Sequence, residues 1–279
     1  MSTRTAVCAR DALDGARTAI SAGGSPSPAL DAELLLADAL GVTRERLVLE
    51  PGQPVTGDAV RRFQSHVRRR AVDREPVAYI VGRRGFRHVS LLVDGRVLIP
   101  RPETELLVEV GLELPAGASV LDCCTGSGAV ALALKEERED LRVTGSDVSQ
   151  DALAVARRNG ERLGLDVEWI AGDLLAGVGG SWNAILANPP YVPSGVIATL
   201  EPEVSRHEPR LALDGGPDGL ELVRRLALEA AGTRASLVAL EIGADQAGDV
   251  ETLLVAAGFA EVERRRDLAG IERVVVARR

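Results

Sequence analysis

The sequence predicts an α/β fold, in which a doubly wound, mostly parallel sheet follows a smaller helical domain. The main observation is a regular alternation of apolar runs and helical patterns that begins at Ser119. A second observation is a glycine-rich loop directly after the first of these apolar runs. A third is that the first 80 or so residues show only helical periodicity. A chain of 279 residues, 46% of them hydrophobic, can form one large and one small domain.

Four helices are predicted in the N-terminal part. The first ends where residues 23–26, Gly-Gly-Ser-Pro, interrupt apolar residues that recur every three or four positions. Ser27 is placed as the N-cap of a second helix that ends at Gly41, and Thr43 caps a short third helix. The fourth covers residues 60–71 and carries a run of three arginines, which we interpret as a solvated helix face.

A β-hairpin is predicted between these helices and the sheet. Residues 86–99 alternate loosely around Asp94-Gly95, and Asp-Gly is a strong signal for a hairpin turn. A further helix is expected to begin near Pro102, with acidic residues in its first turn. The predicted division is a helical domain of residues 1–85, a hairpin connector of residues 86–100 and an α/β domain of residues 101–279.

The α/β part is predicted to contain seven strands. Helical patterns separate the first of these strands, as in a doubly wound sheet. The final strand is expected to run antiparallel and to form a hairpin with the strand before it. Helices are also predicted at residues 220–230 and 249–257. The predicted strands are residues 119–123, 142–146, 167–170, 182–187, 236–242, 260–264 and 273–277.

Charge and composition disfavour several classes of function. The net charge of −8 argues against nucleic-acid binding by phosphate neutralisation, although residues 1–85 carry +3 and residues 86–279 carry −11. No apolar run of 18 residues and no signal-peptide pattern occur, so we expect a soluble, cytoplasmic protein without membrane contact. Cys8, Cys123 and Cys124 lack the spacing of a disulfide framework or a zinc site, and no metal is expected.

A glycine-rich loop and three acidic residues are expected at the carboxyl ends of the first three strands. The loop, Cys124-Thr125-Gly126-Ser127-Gly128, is named the glycine loop; its backbone can approach a ligand, and the next helix points its N–H groups there. Asp122 precedes it. Asp147 ends the second strand, where a carboxylate can accept both ribose hydroxyls, and Asp173 follows the third and could meet an adenine amino group. Each alone also fits a turn or a cap, but together they describe an adenosine-containing ligand.

The motif Asn188-Pro189-Pro190-Tyr191 follows the fourth predicted strand and is expected at the same edge of the sheet. Its prolines have no N–H donors and a fixed φ, which leaves carbonyl acceptors in a rigid geometry. The Asn188 side-chain oxygen and the Pro189 carbonyl can then accept both N–H bonds of a planar amino group, on which Tyr191 can stack. Alone, Asn-Pro-Pro is more often a rigid turn, but its combination with the glycine loop favours a binding site.

These residues do not by themselves identify the ligand. Residues 126–131, Gly-Ser-Gly-Ala-Val-Ala, can be fitted to the dinucleotide-binding fingerprint, so a dehydrogenase is a competing interpretation. Against it, Asp122 would repel a pyrophosphate and attract a cationic sulfonium amino acid. A non-catalytic nucleotide-binding module is a third interpretation, which the intact Asn-Pro-Pro-Tyr motif disfavours.

Further motifs accompany Asn188-Pro189-Pro190-Tyr191 in one order: Tyr79-Ile80-Val81-Gly82, Phe86, Leu98-Ile99-Pro100-Arg101-Pro102-Glu103-Thr104-Glu105, His207-Glu208-Pro209-Arg210-Leu211-Ala212-Leu213 and Glu241-Ile242-Gly243. With them the sequence resembles class I S-adenosylmethionine-dependent methyltransferases that modify a planar nitrogen. Within that class it resembles the protein-(glutamine-N5) methyltransferases of peptide chain release factors, the PrmC or HemK family. The resemblance covers nearly the whole chain and is most specific over residues 79–243.

The resemblance implies a class I methyltransferase fold with a seven-stranded sheet, and S-adenosyl-L-methionine as the cofactor. It implies class I release factors as partners, with the glutamine on a Gly-rich loop and no direct nucleic-acid contact. It assigns Cys124 to Gly128, Asp147 and Leu174 to the cofactor and the Asn-Pro-Pro-Tyr motif to the glutamine. Asp122, Asp173 and Asn188 complete the expected cofactor set. Cys123-Cys124 replaces the more usual Leu-Gly, and Leu174 replaces an aromatic residue found in some members.

The implied reaction is methylation of a side-chain amide nitrogen. That nitrogen is a poor nucleophile because its lone pair is delocalised into the carbonyl group. Acceptors at Asn188 and Pro189 would raise its electron density and orient it, while Tyr191 holds the amide plane. A nucleic-acid amino-methyltransferase of the adenine N6 type is the alternative, because DNA adenine methyltransferases share the four-residue motif. Residues 1–85 are expected to recognise the protein substrate and take no part in catalysis.

Overall fold

Two units divide the chain in the computed structural model, which describes residues 7–279. The first unit extends to Gly82 and also contains Glu201–His207, a segment remote in sequence. The second unit consists of Arg83–Leu200 and Glu208–Arg279. The chain therefore leaves the second unit after Leu200 and returns to it at Glu208.

The first unit is helical, as the sequence predicts. Gly41 ends the second helix in the left-handed conformation, and the Thr43 side chain accepts a hydrogen bond from the Arg46 N–H at the start of the third. The two short strands of this unit pair antiparallel. Its elements are β1 (Val7–Cys8), α1 (Ala9–Ala22), α2 (Pro28–Leu40), α3 (Arg44–Leu49), β2 (Pro54–Val55), α4 (Asp58–Ala71) and α5 (Val77–Val81).

A buried arginine connects α4 to the Glu201–His207 segment within the first unit. Arg70 is 5% exposed, donates from Nε to Asp31 Oδ2 over 2.6 Å and also pairs with Glu203. Arg74 donates to both oxygens of Glu203, over 2.8 and 2.7 Å. Burial opposes ionisation of Glu203, but the hydrogen bonds from Arg74 and Arg70 lower its pKa to about 2. The prediction of a solvated arginine face is therefore wrong for Arg70, which lies on the buried side of α4.

The hairpin lies earlier in the chain than predicted. Strands β3 (Arg83–Phe86) and β4 (Val89–Leu92) pair antiparallel, so the chain turns at Arg87-His88 and not at Asp94-Gly95. Arg87 has a φ of 47°. The Asp94 carboxylate instead accepts from the backbone and side-chain nitrogens of Arg96, over 3.1 and 2.8 Å. The Asp-Gly signal therefore marks a separate turn after the hairpin, stabilised by its own arginine.

The second unit is built on a seven-stranded sheet, as predicted. The strand order is β10-β11-β9-β8-β5-β6-β7, and only β11 runs antiparallel to its neighbours. The last strand thus pairs with its hairpin partner and also inserts beside β9. The strands are β5 (Ser119–Cys123), β6 (Arg142–Asp147), β7 (Glu168–Ala171), β8 (Ala184–Ala187), β9 (Leu237–Glu241), β10 (Glu261–Arg266) and β11 (Glu272–Arg278).

Helices cover both faces of this sheet. Alternate residues of β8 belong to two different apolar clusters, Ala184 and Leu186 to one and Ile185 and Ala187 to the other. None of the helices within residues 7–279 is both long and apolar enough to cross a membrane. The remaining helices are α6 (Glu105–Leu112), α7 (Ala129–Glu137), α8 (Gln150–Leu163), α9 (Pro202–His207, in the first unit), α10 (Glu221–Ala231) and α11 (Ala247–Ala256).

Candidate active site

A cavity of about 380 Å³ lies within the second unit, at the carboxyl ends of β5, β6, β7 and β8. Open α/β sheets bind their ligands at this edge. Three of the predicted site residues, Gly128, Pro189 and Tyr191, are not part of its lining. The predicted residues that line it are Asp122, Cys124, Thr125, Gly126, Ser127, Asp147, Asp173, Leu174, Asn188 and Pro190.

The glycine loop and Asp147 are joined by hydrogen bonds at the cavity wall. Gly126 has a φ of +57°, and its N–H donates to Asp147 Oδ2 over 2.9 Å. The Ser149 N–H donates to Asp147 Oδ1 over the same distance. Burial raises the pKa of Asp147, and these N–H groups oppose the shift by stabilising its carboxylate. Each oxygen keeps acceptor capacity, so Asp147 can hold a pair of hydroxyl groups in the cavity.

Cys124 departs from the conformation that its side chain prefers. Its φ is +61°, in the left-handed region that glycine adopts without strain. The family resemblance places a glycine at this position, and the backbone geometry is consistent with that preference. The cysteine therefore keeps a glycine-type turn while adding a thiol to the cavity wall.

Asp122 lies against the glycine loop and is 1% exposed. Its Oδ2 accepts from Thr125 Oγ1 over 2.5 Å and from the Ala131 N–H over 3.1 Å. Burial raises the pKa of Asp122 to about 7, although both hydrogen bonds favour the ionised form. Asp122 thus ties the loop to the first turn of α7 as well as lining the cavity.

Trp169 on β7 explains two glycines that the sequence left without a packing role. A Cβ on Gly145 would lie 2.6 Å from Trp169 Cε3, and one on Gly128 would lie 2.8 Å from Cη2 of the same ring. Both distances are too short for carbon atoms in contact. Gly128 therefore leaves room for the indole ring, in addition to its left-handed φ of +83°.

Asp173 and Leu174 border the cavity beyond β7. The Asp173 carboxylate accepts from Arg225 Nη2 over 2.8 Å, so one of its oxygens already has a cationic partner. Arg225 also lines the cavity. Leu174 is buried and has a φ of 56°. The sequence carries no local signal for Arg225, because a single arginine on the polar side of an amphipathic helix is common.

The Asn188 side chain is oriented by a threonine. Its Nδ2 donates to Thr104 Oγ1 over 3.2 Å, which leaves Oδ1 as the acceptor of the amide. Asn188 itself lines the cavity. In the part of the chain that the structure describes, the Pro189 carbonyl accepts no hydrogen bond. Of the two acceptors that the sequence predicts for an incoming N–H2 group, Asn188 thus borders the cavity, whereas Pro189 is buried and lies outside its lining.

Tyr191 is held by a buried glutamate and a glutamine. Its hydroxyl donates to Glu241 Oε1 over 3.3 Å, and its carbonyl accepts from Gln246 Nε2 over 3.1 Å. Burial raises the pKa of Tyr191, and the adjacent Glu241 carboxylate acts in the same direction. The hydroxyl therefore remains protonated and serves as a hydrogen-bond donor.

A second glycine loop, residues 214–219, packs against the Asn-Pro-Pro-Tyr motif. The Gly215 N–H donates to the Val192 carbonyl over 2.9 Å, directly after the motif. A Cβ on Gly215 would lie 2.7 Å from the Pro190 carbonyl oxygen. The motif is thus fixed by close backbone contact, which only glycine permits here.

Comparisons with known proteins place the chain in a family. Residues 11–82 match the PrmC N-terminal domain, and residues 102–201 match the methyltransferase small domain. The chain is 43% identical to a release factor glutamine methyltransferase of Caulobacter vibrioides over 273 residues, which covers 95% of this chain and 94% of the relative. The chain belongs to this family. This methyltransferase is also 42% identical to the release factor glutamine methyltransferase of Deinococcus radiodurans, over 97% of this chain and 98% of the relative.

Solved structures share the fold of this methyltransferase at low sequence identity. A methyltransferase from Pyrococcus furiosus matches with a TM-score of 0.52 and 19% identity, covering 67% of this chain and 87% of the other. The hMettl16 catalytic domain, solved in complex with a MAT2A 3′UTR hairpin, matches with a TM-score of 0.56 and 14% identity. That match covers 79% of this chain and 81% of the other. The predicted class I methyltransferase fold is confirmed.

Proposed function

We propose that this protein transfers a methyl group from S-adenosyl-L-methionine to the side-chain amide nitrogen (N5) of a glutamine in peptide chain release factors. The observation that carries the proposal is that Asn188 lines the same cavity as Gly126 and Asp147. A methyl donor on the glycine-loop side and an amide acceptor on the Asn188 side would meet there. The family to which the chain belongs supports this choice of substrate.

The cavity fits S-adenosyl-L-methionine. Its volume of about 380 Å³ lies within the range of roughly 300–1,000 Å³ for small-molecule sites. Asp147 offers acceptors for ribose hydroxyls, and a cationic sulfonium amino acid nearby would favour the ionised form of Asp122, whose pKa burial raises to about 7. Asp173, paired with Arg225, borders the same cavity. Cys124, Thr125, Ser127 and Leu174 complete the wall. When bound, the cofactor supplies an electrophilic methyl group, so the protein needs to provide no metal ion or covalent intermediate.

Residues of the Asn-Pro-Pro-Tyr motif would bind and orient the glutamine amide. Asn188 Oδ1 and the Pro189 carbonyl accept its two N–H bonds, which raises the electron density on nitrogen. They also stabilise the positive charge that develops there during transfer, as preorganised acceptors. Pro190 keeps the backbone rigid, and the half-buried Tyr191 holds the end of the motif through its bonds to Glu241 and Gln246.

The substrate side of the proposal concerns the first unit. A glutamine that enters a cavity at a sheet edge has to lie on an extended loop, such as the Gly-rich loop of a class I release factor, and such a loop offers little binding surface. We therefore assign recognition of the rest of the release factor to residues 1–85 and no direct contact to nucleic acid. Val48 and Leu49 on α3 are 72% and 80% exposed and provide apolar surface for this contact. Because its substrates act in translation, we place the enzyme in the cytoplasm.

Methyl transfer to a purified release factor tests the proposal. The protein is incubated with isotopically labelled S-adenosyl-L-methionine and a class I release factor, and peptide mass spectrometry locates the label. Label on one glutamine is expected, and it should be absent when that glutamine is replaced by alanine. Parallel reactions contain DNA or RNA in place of the release factor. Label in the nucleic acid and none in the protein would favour the adenine-type alternative instead.

A further inference from the structure

Two buried side chains contact the Asn-Pro-Pro-Tyr motif and have no assigned role in the reaction, and one of them, Thr104, also lines the cavity. Thr104 is 4% exposed and accepts the hydrogen bond from Asn188 Nδ2. Glu241 is 1% exposed and accepts from the Tyr191 hydroxyl through Oε1. Burial raises the pKa of Glu241 to about 7, and the neighbouring Thr104 and Tyr191 hydroxyls oppose that shift. Asn188 and Tyr191 are therefore held by one connected polar group.

Strand register brings these residues together. Strands β8 and β9 are parallel neighbours, with Ala187 opposite Leu240. Asn188 and Glu241 each follow one residue of this pair, so they lie side by side. Thr104 comes from the 3₁₀ turn before α6. The fold therefore brings Thr104, Asn188 and Glu241 together. In the described part of the chain, Glu241 Oε2 has no hydrogen-bond partner.

The direction of the Thr104 hydroxyl decides which end of the Asn188 amide faces the cavity. The ionised Glu241 carboxylate accepts hydrogen bonds only, so a Thr104 hydroxyl that donates to it presents lone pairs to Asn188. Asn188 then has to donate through Nδ2, which directs Oδ1 away from Thr104. In the reversed amide, Nδ2 would face the N–H2 group of the glutamine, and two donors cannot form a hydrogen bond.

We propose that Thr104 and Glu241 are positioning residues that set the orientation of the Asn188 amide, so that Oδ1 accepts the glutamine N–H. This inference rests on the proposed function, because it takes the glutamine amide as the group that Asn188 binds. The burial of Glu241 supports it, since within residues 7–279 its side-chain hydrogen bond goes to the substrate motif. A buried carboxylate is costly to retain unless its hydrogen bonds serve a purpose, and here they lead to the substrate motif.

Replacement of the Thr104 hydroxyl tests the proposal. Thr104→Val keeps the shape of the side chain but removes the acceptor, so the Asn188 amide can rotate. We expect the single-turnover rate on the intact release factor to fall by about 10- to 100-fold, the cost of a misplaced reacting group. Thr104→Ser should restore most of the rate because it restores the hydroxyl. Thr144→Val is the matched control, since Thr144 is also 4% exposed and lies outside the cavity lining.

A double-mutant comparison separates positioning from a general structural role. If Thr104 acts through Asn188, Thr104→Val should cause no further loss in an Asn188→Ala background. An equal loss in both backgrounds, or a wild-type rate for Thr104→Val alone, would overturn the proposal. Cofactor affinity, measured by calorimetry on each variant, reports whether the site is folded. If Thr104→Val does not fold, Glu241→Leu decides, because it removes both acceptor oxygens, and a wild-type rate for it would also overturn the proposal. Methyl transfer by the wild-type protein tests the proposed function separately.

Discussion

The carbonyl oxygen of Tyr191 lies directly against Gly219, at a distance that excludes any side chain at that position. Gly219 has a φ of +77°, and a Cβ there would also lie 2.8 Å from Gln246 Nε2. Gln246 Nε2 is the donor to the same Tyr191 carbonyl. The position of the substrate motif thus depends on a glycine in a loop that follows much later in the sequence.

Gly219→Ala should lower both stability and the rate of methyl transfer, because the added methyl group displaces Tyr191. Gly270→Ala is the matched control, since Gly270 has a φ of +80° and open space around its Cα. Left-handed backbone costs about 1–2 kcal/mol in both variants. We expect Gly219→Ala to lose at least about 1 kcal/mol more in urea denaturation, through overpacking. Equal losses of stability in the Gly219 and Gly270 variants would show that the Tyr191 backbone can shift away from the added methyl group at no cost.

Asn188→Ala should remove methyl transfer while the fold stays intact. It deletes a proposed acceptor for the glutamine amide, and no neighbouring side chain replaces it. Loss of one preorganised group of this kind commonly costs about 10²–10³ in rate. Single-turnover transfer to the release factor measures the effect, and thermal unfolding checks the fold. A rate within about threefold of wild type would refute the assigned role.

Asp147→Ala should weaken cofactor binding. The lost hydrogen bonds to a charged group correspond to about 1.5–3 kcal/mol. Calorimetric titration with S-adenosyl-L-methionine measures the change, with Asp151→Ala as the control because Asp151 is exposed and does not line the cavity. Unchanged affinity of the Asp147 variant would place the ribose elsewhere.

Glu241→Gln should change the pH dependence of stability. Burial raises the pKa of Glu241 from 4.5 to about 7 in the folded protein, so the folded state binds a proton that the unfolded state has lost. Between pH 4.5 and about 7 this group therefore lowers stability as the pH rises, on the order of 3 kcal/mol in total. The variant should lack this loss and be more stable than wild type above pH 7. Glu103 and Arg273 face Glu241 with opposite effects on its pKa and remain in both proteins.

Urea denaturation of both proteins from pH 4 to 8 measures the difference. Asp122 titrates in the same range, since burial raises its pKa to about 7, but it contributes equally to wild type and variant. Parallel stability curves for the two proteins would show that Glu241 titrates alike in the folded and unfolded states.

Charge on the exposed face of α3 should impair recognition of the release factor. Deletion of residues 1–85 is a poor test because it removes Arg70 and Arg74, which hold Glu203. We expect Val48→Asp with Leu49→Asp to raise KM for the intact release factor roughly tenfold, about 1.4 kcal/mol of lost binding. Activity on a short glutamine peptide should not change.

The matched control for this surface is Leu228→Asp. Leu228 is 73% exposed, lies on α10 in the second unit and does not line the cavity. The same KM increase in this control would indicate a general effect of added charge. An unchanged KM in the α3 variant would argue against recognition through this face.

Local sequence patterns were sufficient for most elements of the fold. The strand Ala184–Ala187 lies within the predicted strand of residues 182–187, because a buried parallel strand is a continuous apolar run. The hairpin was misplaced because Asp94-Gly95 does form a turn, but the buried side chains of Phe86 and Val89 place the strand pairing earlier. Turn chemistry alone did not determine which turn joins the two strands.

The sequence by itself determined that the glycine loop, Asp147 and the Asn-Pro-Pro-Tyr motif lie at one edge, because the carboxyl ends of neighbouring parallel strands share that edge. Only the tertiary structure decided that Thr104 orients Asn188, that Glu241 binds Tyr191 and that Trp169 packs on Gly128. These pairs are far apart along the chain, and hydrophobic periodicity reports only which face of an element is buried. Which side chains then meet is set by strand register and by the packing of helices on the sheet.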